Sequence, residues 1–152
     1  MNTTVSPNAH GVRRVDQLLA HYEESHRNPK NELIHFIAIP LIMLSLVGMM
    51  FALHPYVAYA FIAASMVYYM RLSLVFLVTM VLWSLLSVAL VFAMGPWVLE
   101  LSVAIFIGAW VLQFVGHKLE GKKPSFFEDI QYLWVGPLFV LSKLFTKLGL
   151  RW

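Results

Sequence analysis

His21, His26, His35 and His117 are the side chains in this sequence best suited to holding a metal ion, and the chain has no cysteine to share that task. Without thiolate there is no zinc–thiolate site, iron–sulfur cluster, disulfide framework or thiol nucleophile, so a metal here must rest on imidazole, carboxylate or water. An imidazole-rich set suits iron, zinc, copper or nickel, and spacing leaves the choice among them open. No HExxH, GxSxG, Walker A or dinucleotide-binding glycine pattern occurs, which removes the common protease, lipase, nucleotide and flavin chemistries.

Helix geometry ranks the four histidines. Val15, Leu18, Leu19 and Tyr22 recur at helical spacing opposite Arg14, Asp16, Gln17, Glu23 and Glu24, so residues 12–27 are expected to form an amphipathic helix on a membrane or on the bundle. His26, four residues after Tyr22, continues the inward stripe. His21 points about 140° away from it and ranks last. The Asn28-Pro29-Lys30-Asn31 turn folds His26 back towards His35. His117 ends an apolar segment, and Gln113 and Glu120 share its helical face, where they can orient an imidazole.

Those positions require a scaffold, and the composition says which kind. With 60% hydrophobic and 12% charged residues, against ~45–50% and ~25% in an ordinary soluble domain, the chain is too apolar for a soluble globule. Residues 1–11 are expected to be a flexible tail with no signal-peptide core. Apolar blocks at 33–53, 56–70, 73–94 and 97–116 read as four membrane spans. The stretch 56–94 would reach about 58 Å as one helix, nearly twice the bilayer core, so it turns at its one charge, Arg71. Residues 125–148, with Glu128, Asp129, Gln131 and a Gly136-Pro137 break, suit an interfacial or re-entrant segment. The expected fold is thus a single all-α integral membrane bundle. Four crossings leave all 11 Lys and Arg on one side, which the positive-inside rule makes cytoplasmic together with both termini. The net charge of +3 is therefore a topology signal, and no nucleic acid partner is expected.

The run Tyr22-Glu-Glu-Ser-His26-Arg-Asn-Pro-Lys-Asn31-Glu-Leu-Ile-His35, followed by Ile39-Pro40, resembles the Tyr-x3-His-x-Asn-Pro-x-Asn-x3-His opening of the membrane 2-hydroxy fatty acid dioxygenases of the yeast phytosphingosine α-oxidation pathway. Gln113-Phe-Val-Gly116-His117-Lys-Leu-Glu120-Gly121-Lys-Lys-Pro124 and Gly136-Pro137-Leu138-Phe139 are similar to that family's second block. The resemblance implies a multi-pass Fe(II) enzyme of a bacterial inner membrane or endoplasmic reticulum. Such an enzyme uses O2 to shorten a 2-hydroxy long-chain fatty acid by one carbon. It implies His26, His35 and His117 as iron ligands, with Tyr22, Asn31 and Glu120 in supporting positions. Arg27 stands where the yeast-type sequence has a second histidine, so a fourth ligand is open, with His21 the candidate. The adjacent hydroxyl and carboxylate of a 2-hydroxy acid can chelate iron while its alkyl chain lies along the spans among membrane lipids. Arg27, Lys30, Arg71, Lys118 and Lys122 are available to attract the carboxylate. A reading from a different class is a small transporter or structural bundle whose histidines bind a non-redox metal or sense pH.

Overall fold

The computed structural model describes residues 12–122, 130 and 132–152, and every regular element among them is helical. In chain order these are α1 (Arg14–Glu23), α2 (Pro29–Leu53), α3 (Pro55–Met70), α4 (Leu74–Met94), α5 (Val98–Leu119) and α6 (Val135–Lys147), with a 3-10 turn at Gly95–Trp97 before α5. Backbone chemistry sets the breaks. Asn28 caps α2 by accepting the Lys30 amide at 2.9 Å, ahead of Pro29, whose missing N–H is harmless in a first turn. His54 caps α3 in the same way, its Nδ1 accepting the Tyr56 amide at 3.2 Å ahead of Pro55. Gly95 ends α4 at φ 55°, a conformation glycine adopts without strain.

Several helices have limits other than those expected, α5 among them, which runs on to Leu119 past the expected 116. α1 stops at Glu23 instead of running to 27, because the chain tightens into a turn in which the Ser25 amide donates to the Tyr22 carbonyl and the His26 amide to that of Glu23. α2 begins at Pro29, four residues ahead of the apolar block 33–53, since Asn28-Pro29 is a capped helix start, one of the two roles that proline suits there. In the C-terminal segment expected over 125–148, α6 covers Val135–Lys147. Residues 1–11, 123–129 and 131 lie outside the described residues.

α2 and α5 pack antiparallel and closely. Gly48 of α2 lies on Ser102 of α5, where an added Cβ would come within 2.0 Å of Ser102 Oγ, and Gly116 of α5 lies on Asn31 of α2. Small residues at such crossings let two backbones approach. Leu44, Val47, Ala58 and Val91 form a buried cluster at the far end of the bundle. Val15, Leu19, Tyr22, Tyr69, Phe76, Met80, Leu138 and Phe139 form one at the near end. The chain therefore runs out along α2, back along α3, out along α4 and back along α5. The near end gathers α1, α6, the Arg71 turn, the start of α2 and the end of α5, whereas the His54 and Gly95 turns occupy the far end.

Hydrogen bonds tie the near end together. Tyr69 Oη donates to the Trp134 carbonyl at 3.0 Å, and Trp134 Nε1 donates to Ser65 Oγ at 3.0 Å, which anchors the start of α6 to α3. Lys143 of α6 pairs with Glu23 of α1. Outward faces are apolar, with Leu82, Leu85, Phe92, Ile107 and Val111 among the exposed side chains. α2 and the stretch Leu74–Leu119 are long and apolar enough to cross a membrane, at mean hydropathies of 2.5 and 2.6. α3 has 16 residues and reaches about 24 Å, short of a bilayer core of ~30 Å.

Candidate metal centre

At the near end, three imidazoles from three segments meet. His35 comes from the second turn of α2, His117 from the last turn of α5, and His26 from the turn after α1, which replaces the expected helix yet delivers the ring inward. All three are buried, and one nitrogen from each lies within 4.8 Å of the others. The His26 ring stacks on Tyr22 with centroids 4.1 Å apart and planes 5° from parallel, so Tyr22 sets its orientation.

The hydrogen bonds decide which nitrogens face each other. His26 Nδ1 lies 2.8 Å from the Tyr22 carbonyl and His35 Nδ1 lies 2.8 Å from the Asn31 carbonyl. A carbonyl only accepts, so both Nδ1 atoms carry the proton and donate, and in the neutral rings both Nε2 atoms are left with lone pairs. Those two Nε2 atoms stand 3.0 Å apart. Two lone pairs at that distance repel unless a cation or a proton lies between them. Two ligand nitrogens each ~2.1 Å from one ion, at a right angle, are also about 3 Å apart. Imidazole that is fixed by a backbone carbonyl through its far nitrogen is the usual form of a metal-binding histidine. The donor set thus fits a divalent transition metal.

Glu120, at the C-cap of α5, does not reach back to orient His117. It accepts the Arg27 amide at 2.9 Å, the Asn28 amide at 2.9 Å and Asn31 Nδ2 at 3.0 Å. Its work is to pin the loop between α1 and α2 to the end of α5, and so to hold His26 and His35 in range of His117. Burial pushes the Glu120 carboxyl up, but the hydrogen bonds from Asn31, Asn28 and Arg27 outweigh this and hold it below the ordinary carboxylate range. A depressed carboxylate stabilises the fold above its unfolded pKa, and that contribution disappears as pH falls through the lower folded value. Glu120→Gln is therefore expected to lower thermal stability at neutral pH and to reduce its fall on acidification. Thermal shifts from pH 7 to pH 3 check this; an unchanged acid profile would detach Glu120 from the clamp.

The other sequence candidates lie elsewhere. His21 is exposed and faces Glu24, with Nδ1 to Oε2 at 3.6 Å. α1 turns it off the inward face, and it is not part of the three-histidine group. Arg27, Lys30, Arg71 and Lys118 are all exposed, and what Arg27 offers Glu120 is its amide, not its guanidinium. Asn31 is fully buried and spans α2 and Glu120. Phe139 of α6, met in the sequence only as the end of the Gly136-Pro137-Leu138-Phe139 stretch and given no role there, is 1% exposed and lies 5.5 Å from the His26 ring and 5.0 Å from that of Tyr22. The signal was Gly136: a Cβ there would meet Ile39 Cδ1 at 3.1 Å, so a glycine is what lets α6 close over the site.

Comparisons with known proteins bear on this arrangement. A family model described as 2-hydroxy-palmitic acid dioxygenase Mpo1-like matches residues 12–148. The chain is 31% identical over 146 residues to the 2-hydroxy-palmitic acid dioxygenase MPO1 of Saccharomyces cerevisiae, a match that covers 91% of this chain and 84% of that protein. No solved structure matches.

Proposed function

The chain belongs to the Mpo1-like family, and from that premise we propose that it is a membrane Fe(II) dioxygenase that converts a 2-hydroxy long-chain fatty acid to the acid one carbon shorter with O2. The observation that carries this reading is the pair of His26 and His35 Nε2 atoms, left with lone pairs in the neutral rings because the Nδ1–H groups donate to backbone carbonyls, and facing each other at 3.0 Å. His26, His35 and His117 would hold the iron. When bound, ferrous iron supplies a redox centre where O2 meets the adjacent oxygens of the substrate.

The chain's own residues do the rest. The Tyr22 and Asn31 carbonyls keep two imidazoles in the ligating form. Phe139 and the stacked Tyr22 ring wall off the site, which keeps bulk water from the reacting groups. Glu120 and Asn31 hold the loop that carries His26. Arg27, Lys30, Arg71 and Lys118 give the near end a positive rim that draws an anionic head group from the membrane surface.

The same reading makes α2 to α5 four crossings, with both chain ends cytoplasmic. Every Lys and Arg among the described residues lies on an element of the near end, where the positive-inside rule puts the cytoplasm.

Purified protein is expected to carry about one iron per chain and to consume O2 when given a 2-hydroxy long-chain acid but not the unsubstituted acid. Stoichiometric zinc, or no metal and no O2 uptake, would return the chain to a non-redox histidine bundle.

A further inference from the structure

One helical turn deeper than the three imidazoles, the bundle encloses a small chamber. Tyr22, Ile39 and Gln113 line it, and each lies four residues from His26, His35 or His117 in turn. On α2 and α5 that offset places the chamber about 5–6 Å further into the bundle. Its free volume is about 20 Å³, room for one water-sized group. Gln113 is only 5% exposed, and its Oε1 has no hydrogen-bond partner. Burying an amide oxygen without a donor is unfavourable, so the chamber asks for one.

That requirement selects the ligand. An amide oxygen only accepts. A carboxylate oxygen and dioxygen also only accept, so neither satisfies it; a hydroxyl does. Resting on the function proposed above, we propose that Gln113 is the specificity-determining residue of this site, accepting a hydrogen bond from the 2-hydroxyl of the fatty acid. The alkyl chain then has an apolar place to lie next door. Ile39 forms a wall shared by the chamber and an apolar groove of about 300 Å³ between α2, α4 and α6, lined by Met43, Met80, Trp83, Pro137 and Leu141. The groove opens on the outer surface of the bundle, so the chain lies among lipid-facing residues while its hydroxyl is held under the histidines.

The test measures binding, not turnover. Metal-free full-length protein in lipid nanodiscs is titrated with 2-hydroxyhexadecanoic acid and with hexadecanoic acid. Wild-type protein is expected to prefer the hydroxy acid by tenfold or more, roughly what one buried hydrogen bond supplies. Gln113→Leu is expected to bring the ratio close to one while leaving the affinity for hexadecanoic acid unchanged, and Gln113→Met, closer in shape, to do the same should the leucine variant not fold. A wild-type ratio of one means the chamber holds only a water and overturns the proposal. A ratio kept by both variants overturns it as well, as does an equal loss for both acids, which marks a merely structural glutamine. Met43→Trp, which narrows the groove, is expected to shift preference towards shorter acids at an unchanged hydroxyl ratio; no shift removes the groove from the path. Hydroxy-acid selectivity without iron or O2 uptake would sink the dioxygenase reading and leave Gln113's role standing, whereas failure to bind either acid sinks both.

Discussion

A His35→Ala protein is expected to purify without iron and to show no O2 uptake with a 2-hydroxy acid, while His54→Ala keeps both. His35 is fully buried, its Nε2 faces that of His26, and its Nδ1 is committed to the Asn31 carbonyl. Alanine leaves two imidazoles where three converge. Disturbing a residue that merely orients a ligand lowers metal affinity ~10–100-fold, and deleting a ligand exceeds that. His54 serves as the control because it has a clear role of another kind. It caps α3 at the far end of the bundle, so its loss costs about 1 kcal/mol of stability and no metal. Iron content by elemental analysis, measured alongside thermal stability, separates the two. Equal loss of iron at His54 would mean that the three-histidine group is not the centre.

The second large effect is expected where no ligand is touched. In Gly116→Val, the new Cβ would stand 2.3 Å from Asn31 Oδ1 and 3.3 Å from His35 Cε1. Asn31 cannot swing aside freely, since it is fully buried and its Nδ2 is held by Glu120. Relief must come from separating α5 from α2 at the end where His35 and His117 meet. Iron affinity is expected to fall about 100-fold, at the upper end for residues that position ligands, with helical content retained because most of the α2–α5 contact lies further along. Circular dichroism and iron titration check this. A variant that binds iron normally would show that the helices do not need contact at Gly116.

How legible all this was depends on the range of the cause. Helix identities and most breaks follow from local chemistry: Asn28-Pro29, His54-Pro55 and Gly95 act within a few residues, and the pattern of charge makes Arg71 a turn. The nearness of His26, His35 and His117 was also within reach, because helix periodicity and chain reversals place them at one end. The end of α1 was not, since periodicity ran on through His26 while the backbone had already turned; the inward ring was anticipated for a different reason from the one that produces it. Glu120 was expected beside His117, three residues away, yet it binds a loop 93 residues away. Partners at that separation leave no local trace. The same holds for Phe139, which the Gly136-Pro137-Leu138-Phe139 stretch brings to notice without saying what its ring touches.

That 93-residue separation between Glu120 and Arg27 has a consequence for how the protein comes into being. During synthesis His26 and His35 emerge early, and His117 follows only after two intervening helices, α3 and α4. No intermediate lacking α5 has His117, or the Glu120 carboxylate that follows it and holds the other two in place. On the proposed function, metal loading would therefore be a late step, available once α5 has come back alongside α2. A metal held by the three histidines would then act as a staple across a long chain closure, of the kind whose entropy grows only slowly with length. A chain that ends before α5 would keep His26 and His35 but lack both His117 and Glu120.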